Sequence, residues 1–171
     1  MANEFLAQLK PRDFTRESSL GVASALNLVQ VGDLAGLPLP KLATQGYTAL
    51  VPISHANTYT TGVTVTLYTV DDGTNSADLG KVVRFGVTFK RLIDGESVDM
   101  DAGAATEQTV DVTLESTSGN VTVNTLAIAN ANLDSLASGE AVMMRVRRIG
   151  THANDTCNGR AVLLGVAIKN T

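Results

Sequence analysis

A histidine, an aspartate and the only cysteine of the chain lie close together in the segment THANDTCNGR, residues 151 to 160. Nucleophilic or metal chemistry needs residue types such as His152, Asp155 and Cys157. The Asn, Asp and Gly around Cys157 are typical of a loop, however, with no helix N-terminus or run of cations to lower the thiol pKa. Catalytic pairs are usually held by different rigid elements, so one shared loop is a poor platform. We therefore interpret the segment as a hairpin connection and predict no catalytic residues.

Metal and cofactor sites are not predicted either. A structural zinc site needs about four ligands, whereas the chain has one cysteine and two histidines, His55 and His152. The acidic residues between Asp94 and Asp101 are the other candidate ligands, for calcium. Their spacing differs from the twelve-residue EF-hand pattern. We interpret this acidic segment as a solvated loop.

Other site classes find little support. The sequence contains no Gly-rich dinucleotide loop, Walker loop or serine nucleophile elbow. Glycan-binding sandwiches usually stack sugars on Trp or Tyr, but this chain has no Trp and three Tyr. We therefore expect a protein that is not an enzyme.

Composition and charge exclude several partners. The 171 residues suit one domain, and a net charge of −4 argues against a nucleic-acid partner. Arg145 and Arg147 would share one strand face, either solvated or facing an acidic partner. A single cysteine allows no intrachain disulfide, which fits assembly in a reducing cytoplasm. The N-terminus does not resemble a signal peptide, and no apolar run reaches about 18 residues, so we expect no membrane span.

Alternating apolar and polar residues predict strands from residue 47 onward. The segment VTVTLYTV, residues 63–70, sets Val63, Val65 and Leu67 against threonines and Tyr68. Residues 83–92 repeat this pattern, with Val83, Phe85, Val87 and Phe89 on one face. Further strands are predicted around Val110 and Val112, around Val121 and Val123, and in residues 47–54, 141–148 and 161–168. Seven strands in the body, or about eight with one from the N-terminal region, predict an antiparallel all-β sandwich.

The first 46 residues differ from the body. Prolines and glycines interrupt them repeatedly, and Asn3 is placed to cap a short helix that Pro11 would end. We predict an extended N-terminal arm over residues 1–46 and a sandwich domain over residues 47–171. The apolar residues of the arm are its expected contacts with a capsid or a neighbouring subunit: Phe5, Leu6, Leu9, Phe14 and Leu20. The alternative is that these residues cover the sheet of their own domain.

The C-terminal segment LASGEAVMMRVRRIGTHANDTCNGRAVLLGVAIKNT, residues 136–171, resembles a recurring ending of jelly-roll virion proteins of tailed phages. In that ending, a Gly-acidic turn leads to a strand with Arg-x-Arg, then an Asp-Thr-x-x-Gly loop, then a Leu-Leu-Gly-Val strand. The matching residues here are Gly139, Glu140, Arg145, Arg147, Asp155, Thr156, Gly159, Leu163, Leu164, Gly165 and Val166.

The resemblance implies a jelly-roll-like sandwich and a capsid decoration, or cement, protein. Such a protein binds the major capsid protein on the outer surface of the virion and is expected to be a homotrimer. A tail or fibre component that recognises a host receptor is the alternative. A hydrolase or lectin on the same fold is the third possibility, and the missing aromatic residues and catalytic set disfavour it.

Overall fold

The computed structural model describes residues 5–16, 28–41, 46–51, 61–137 and 140–171, without the side chains of residues 5 and 6. Its described part contains strands and three short 3₁₀ turns but no α-helix. No helix there is long and apolar enough to cross a bilayer. The strands are β1 (Phe5–Leu9), β2 (Phe14–Arg16), β3 (Val29–Val31), β4 (Leu34–Leu39), β5 (Gly46–Val51), β6 (Val63–Asp71), β7 (Val82–Leu92), β8 (Gln108–Thr113), β9 (Thr122–Ile128), β10 (Ala141–Arg148) and β11 (Ala161–Asn170).

Eight strands are paired as one long hairpin rolled on itself. β4 pairs with β11, β5 with β10, β6 with β9 and β7 with β8, all antiparallel. Rolling adds the pairs β11 with β6 and β10 with β7, which gives the orders β4-β11-β6-β9 and β5-β10-β7-β8. Two facing antiparallel sheets wound in this way form a jelly roll. The predicted antiparallel jelly-roll-like sandwich of about eight strands is confirmed, and β1, β2 and β3 are additional.

The core lies between the two sheets and is mostly aliphatic. Inward-facing residues of both sheets are almost completely buried: Val65, Leu67, Leu163, Val166 and Ile168 from the first sheet, and Val83, Phe85, Val87, Phe89, Val142, Met144 and Val146 from the second. Burial of each such side chain contributes about 1.5–3 kcal/mol relative to exposure. Their alternation on β7 and β10 is therefore the main reason that these segments form strands.

The described N-terminal segments are part of the sandwich. β1 pairs with β11 and β4 continues the same edge, while β2 pairs with β5 in the other sheet. β3 and β4 pair with each other. β4 is one of the eight jelly-roll strands. The predicted boundary at residue 46 therefore does not divide the described structure into an arm and a body.

The predicted short helix before Pro11 is wrong. Phe5–Leu9 is a strand, in which buried Ala7 and Leu9 alternate with exposed Gln8. β4 pairs with only the first three residues of β11, so the edge of β11 beyond Gly165 is left for β1. A partner strand that satisfies backbone groups outweighs the weak local preference of five residues for a helix.

The predicted strand faces are confirmed for β6 and β7 but not for β9. On β6, Val63, Val65 and Leu67 point inward, whereas Thr64 and Tyr68 point outward. On β9 the inward phase is that of Leu126 and Ile128, so Val121 and Val123 face outward. The edge position of β9 permits this, because an edge strand covers less of the core than a central strand.

Candidate functional site

The loop of residues 149–160, between β10 and β11, is built around a buried arginine. The side chains of Arg148 and Asp155 are both 0% exposed. Arg148 Nε and Nη2 donate to the two carboxylate oxygens of Asp155 at 2.8 and 2.6 Å. Arg148 Nη1 donates to the carbonyls of Leu39 and Gly159, and Nη2 also donates to that of Cys157. All five N–H groups of the guanidinium therefore have acceptors.

Two residues of the loop also attach it to β7. The Asp155 carboxylate accepts the backbone N–H of Arg84 at 3.2 Å. The Thr156 hydroxyl accepts the backbone N–H of Val82 at 3.0 Å, and the Thr156 N–H donates to the Val82 carbonyl at 2.9 Å. The Asp-Thr pair of the C-terminal motif therefore holds this loop against the start of β7.

The cysteine and histidine of this loop have separate environments. Cys157 is 0% exposed, and burial raises the pKa of its thiol against the lowering effect of Arg148. Cys157 Sγ lies 3.8 Å from the Gly159 carbonyl. His152 is exposed, and its Nδ1 accepts the N–H of Asn154 at 3.1 Å. The segment is a loop, as predicted, but it joins β10 of the second sheet to β11 of the first and is therefore not a hairpin connection. Burial keeps its thiol away from solvent.

The acidic loop between β7 and β8 lies across the outer face of the second sheet. Arg145 donates to Asp101 at 2.7 Å. Arg147 makes a bidentate pair with Glu107 at 2.6 and 2.8 Å. The two arginines share one strand face, as predicted. The acidic loop of the same chain covers that face and forms ion pairs with both of them.

Lys90, which lies on β7, also binds the acidic loop. Its side chain is 1% exposed and its Nζ donates to the carbonyls of Asp99 and Ala102. Met100 is also buried. The loop of residues 93–107, which we call the acidic strap, is therefore attached to the second sheet, while its acidic residues between Asp94 and Asp101 are exposed, as predicted for a solvated loop. In the described ranges, no three His, Cys, Asp or Glu side chains converge to hold a metal ion.

A groove of about 220 Å³ lies on the outer face of the first sheet. It lies beside β11 at the point where pairing with β4 ends at Leu163 and pairing with β1 begins at Val166, next to the irregular register of β11 between Leu163 and Gly165. The groove has an apolar lining with two polar side chains beside it: Leu34, Tyr68, Val121 and Leu164, with Gln8 and Lys10.

The apolar lining continues across the sheet. Tyr68 pairs with Gly165 on one side and with Val123 on the other. Leu34 is 55% exposed, Val121 41% and Val123 57%. We call these three residues, with Tyr68 and Leu164, the apolar row. Large contiguous apolar patches mark interaction surfaces or ligand grooves, so this row is the candidate functional site.

Two of the predicted contact residues are described with their side chains, and both are buried. Leu9 and Phe14 are 3% and 2% exposed and belong to the core of the chain itself. They therefore cover their own domain, the alternative that the sequence left open. Phe5 and Leu6 lie on β1, but their side chains are outside the described residues, as is all of Leu20.

The sequence contained a signal for the apolar row that we missed. In VTVNTLAI, the apolar residues change phase between Val123 and Leu126. A strand has two faces and only one faces the core, so one of the two sets had to be exposed. Leu34 had no such signal, because its exposure depends on where the start of β4 lies beyond the residues that pair with β11.

Comparison with known proteins supports the fold and gives no family. No protein-family model matches the chain, and no curated protein matches it. Solved structures do match. An exo-β-1,3-galactanase from Phanerochaete chrysosporium, solved with galactose, aligns over 98% of this chain and 30% of its own, with TM-score 0.53 and 10% identity.

Two xylanases show the same likeness. A xylanase from Cellvibrio japonicus in complex with xylopentaose aligns over 93% of this chain and 27% of its own, with TM-score 0.51 and 10% identity. The CBM22-1 and GH10 modules of an endo-1,4-β-D-xylanase from Clostridium thermocellum, complexed with xylohexaose, align over 99% of this chain and 29% of that chain, with TM-score 0.52 and 10% identity.

The extent of these alignments limits what they imply. This chain spans less than a third of each of the three proteins. At 10% identity the likeness concerns the backbone arrangement, since one fold serves many unrelated functions. The chain has a jelly-roll β-sandwich fold that also occurs within larger carbohydrate-active proteins.

Proposed function

We propose that this chain is a non-catalytic structural protein of a tailed-phage virion. It binds the outer capsid surface and stabilises contacts between major capsid subunits, after assembly in the host cytoplasm. The observation that carries the proposal is the apolar row, an exposed apolar surface on a rigid sheet. The resemblance of residues 136–171 to the ending of jelly-roll virion proteins supplies the class of partner.

The contacts of the motif residues support a structural role over a catalytic one. Arg145 and Arg147 pair with the acidic strap. Asp155 forms a buried ion pair with Arg148, and the Thr156 hydroxyl accepts a hydrogen bond from the backbone of β7. The buried Arg148 guanidinium has an acceptor for each of its N–H groups, so it holds the loop in place and has no donor left for a substrate.

The apolar row suits attachment to a protein lattice. Burial of apolar surface contributes about 25 cal/mol per Å² before the costs of association are subtracted. A single row of five side chains is a small contact. Several copies on a repeating lattice would add avidity to it.

The test is co-sedimentation with capsids that lack this protein. The wild-type chain is expected to saturate a fixed number of sites per capsid. Leu34→Asp places a charge in the apolar row and is expected to weaken binding at least tenfold. Leu50→Asp is the matched control, because Leu50 is 59% exposed on β5 of the opposite sheet, close to the 55% of Leu34.

Two results would count against the proposal. Failure of the wild-type chain to pellet with capsids would remove the capsid as partner. Equal weakening by Leu34→Asp and Leu50→Asp would show that the apolar row is not the contact surface. Circular dichroism of both variants checks that each retains the fold.

A second candidate function is receptor recognition by a tail or fibre component. The groove beside Tyr68 favours it, because a concave site with an aromatic ring suits one sugar ring or one side chain. At about 220 Å³, the groove is smaller than the roughly 300–1,000 Å³ of sites for drug-sized ligands. Glycan-array binding that Tyr68→Ala abolishes, without any capsid binding, would favour this function.

A further inference from the structure

β9 is an outer strand of the first sheet, with one edge that pairs with no other described strand. Among the described residues, β6 is its only strand partner. Its seven residues, TVNTLAI, include no charge and no proline. Its register with β6 runs unbroken from Val63↔Ile128 to Thr69↔Thr122, so no bulge twists it away. Natural sheets usually block edge pairing with such features.

The other described edges are protected. β2 and β3 have three residues each, which limits any ladder. β1 has a register shift between Phe5 and Ala7. β8 has Asp111 near its middle, in an ion pair with Arg84 at 2.7 Å. Among the edge strands of the described part, β9 lacks all of these features.

Side chains of β9 are also incompletely covered. Leu126 packs against the core but is only partly buried. Val123, on the outward face, is 57% exposed. A strand added beside β9 would bury the open side of both residues. It would also form backbone hydrogen bonds with the unpaired N–H and C=O groups of this edge.

We propose that β9 pairs antiparallel with β9 of a second copy of this chain, about a two-fold axis at Thr125. This register uses all seven residues: Thr125 faces Thr125 of the partner subunit, and Val123 faces Ala127 of the partner subunit. In such an isologous contact, the same surface of each copy forms both sides of the interface. Because β9 carries no charge, no like charges meet across the axis.

The pairing would join the first sheets of two copies into one continuous sheet. Val123 belongs to both β9 and the apolar row, so the two rows would lie on the same face, on either side of the axis. This inference does not depend on what the apolar row binds. It favours a two-fold dimer over the trimer that the resemblance implies.

A cysteine at the axis tests the register. Residues directly opposite in an antiparallel pair have Cα atoms about 4.5–5.5 Å apart, within the roughly 4.4–6.8 Å that a disulfide spans. Thr125→Cys is therefore expected to form a disulfide-linked dimer under mild oxidation. Ala127→Cys alone is not expected to form this disulfide. A mixture of Ala127→Cys and Val123→Cys is expected to form it, because these two positions face each other in the proposed register. The native Cys157 is 0% exposed and does not interfere.

Light scattering after size exclusion tests the association itself. The wild-type chain is expected to be a dimer and Thr125→Lys a monomer, because two lysines would meet at the axis. Thr113→Lys, at an exposed position of the β8 edge, is expected to remain dimeric. A monomeric or trimeric wild-type chain would overturn the inference, and so would a dimer that Thr125→Lys leaves intact or equal cross-linking of Thr125→Cys and Ala127→Cys.

Discussion

Replacing Arg148 with methionine removes the buried cation on which the β10–β11 loop is built. The carboxylate of Asp155, 0% exposed, would lose both of its bonds to the guanidinium and keep only the Arg84 N–H. The carbonyls of Leu39, Cys157 and Gly159 would lose the donors that Arg148 supplies.

The magnitude follows from the burial of the pair. Removing one partner of a buried, hydrogen-bonded ion pair costs about 3–5 kcal/mol, because the other charge stays buried without compensation. A domain of this kind has a free energy of unfolding of about 5–15 kcal/mol in total. For a chain of this length, each kcal/mol lowers Tm by about 2–4 °C. Arg148→Met is therefore expected to lower Tm by about 6–20 °C.

The assays are urea unfolding for the free energy and thermal unfolding for Tm, both followed by circular dichroism, with Arg84→Met as the control. Arg84 pairs with Asp111, whose side chain is 35% exposed and keeps a hydrogen bond from Asn154 at 2.6 Å. Such a surface pair is worth about 0–1 kcal/mol. The double variant Arg148→Met, Asp155→Leu is expected to recover part of the loss, because it removes the stranded carboxylate.

Similar free energies of unfolding for Arg148→Met and Arg84→Met would refute this reasoning. That result would mean that Arg148 is hydrated in solution and that the loop closes without it. A double variant less stable than Arg148→Met would also contradict it, since the cost would then not come from the unpaired charge.

Three further predictions concern single residues. Burial raises the pKa of Asp72, but hydrogen bonds from Thr74 and Arg160 lower it below its usual value overall, so its contribution to stability is present above about pH 4 and lost as pH falls below that. Asp72→Asn should therefore destabilise the chain at pH 7, and urea midpoints should converge with the wild type as pH falls below about 4. The Cys157 thiol, buried and with a raised pKa, should react with a disulfide reagent only after denaturation; rapid reaction in the native protein would contradict its burial. Gly150→Ala places a Cβ 1.9 Å from the Lys41 carbonyl oxygen and should cost about 1–3 kcal/mol in thermal unfolding, and an unchanged Tm would mean that this backbone contact is absent.

Much of the sandwich can be predicted from local patterns in the sequence. Period-2 alternation predicted seven body strands, and it gave the inward faces of β6 and β7 but not that of β9. The same period applied to β10 places Arg148 in phase with Val142, Met144 and Val146. That phase is a signal for a buried arginine, and an acidic partner nearby in sequence, Asp155, was available.

Long-range pairing was not encoded in the same way. The helix predicted before Pro11 failed because β11 offers an edge that the local sequence of β1 does not reveal. Leu9 and Phe14 became core residues for the same reason, since strand pairing brought their segments onto the sandwich. The groove depends on where β1 and β4 meet β11, and such a position follows from register, which period-2 patterns do not specify.

The number of copies of this chain in each virion tests the proposed function most directly. Quantitative mass spectrometry of purified particles would compare it with the major capsid protein. A ratio near one-to-one, or a simple fraction of it, is the result that binding over the capsid lattice predicts. A handful of copies per particle would place the chain at the tail or a vertex, and its absence from the particle would contradict a virion role.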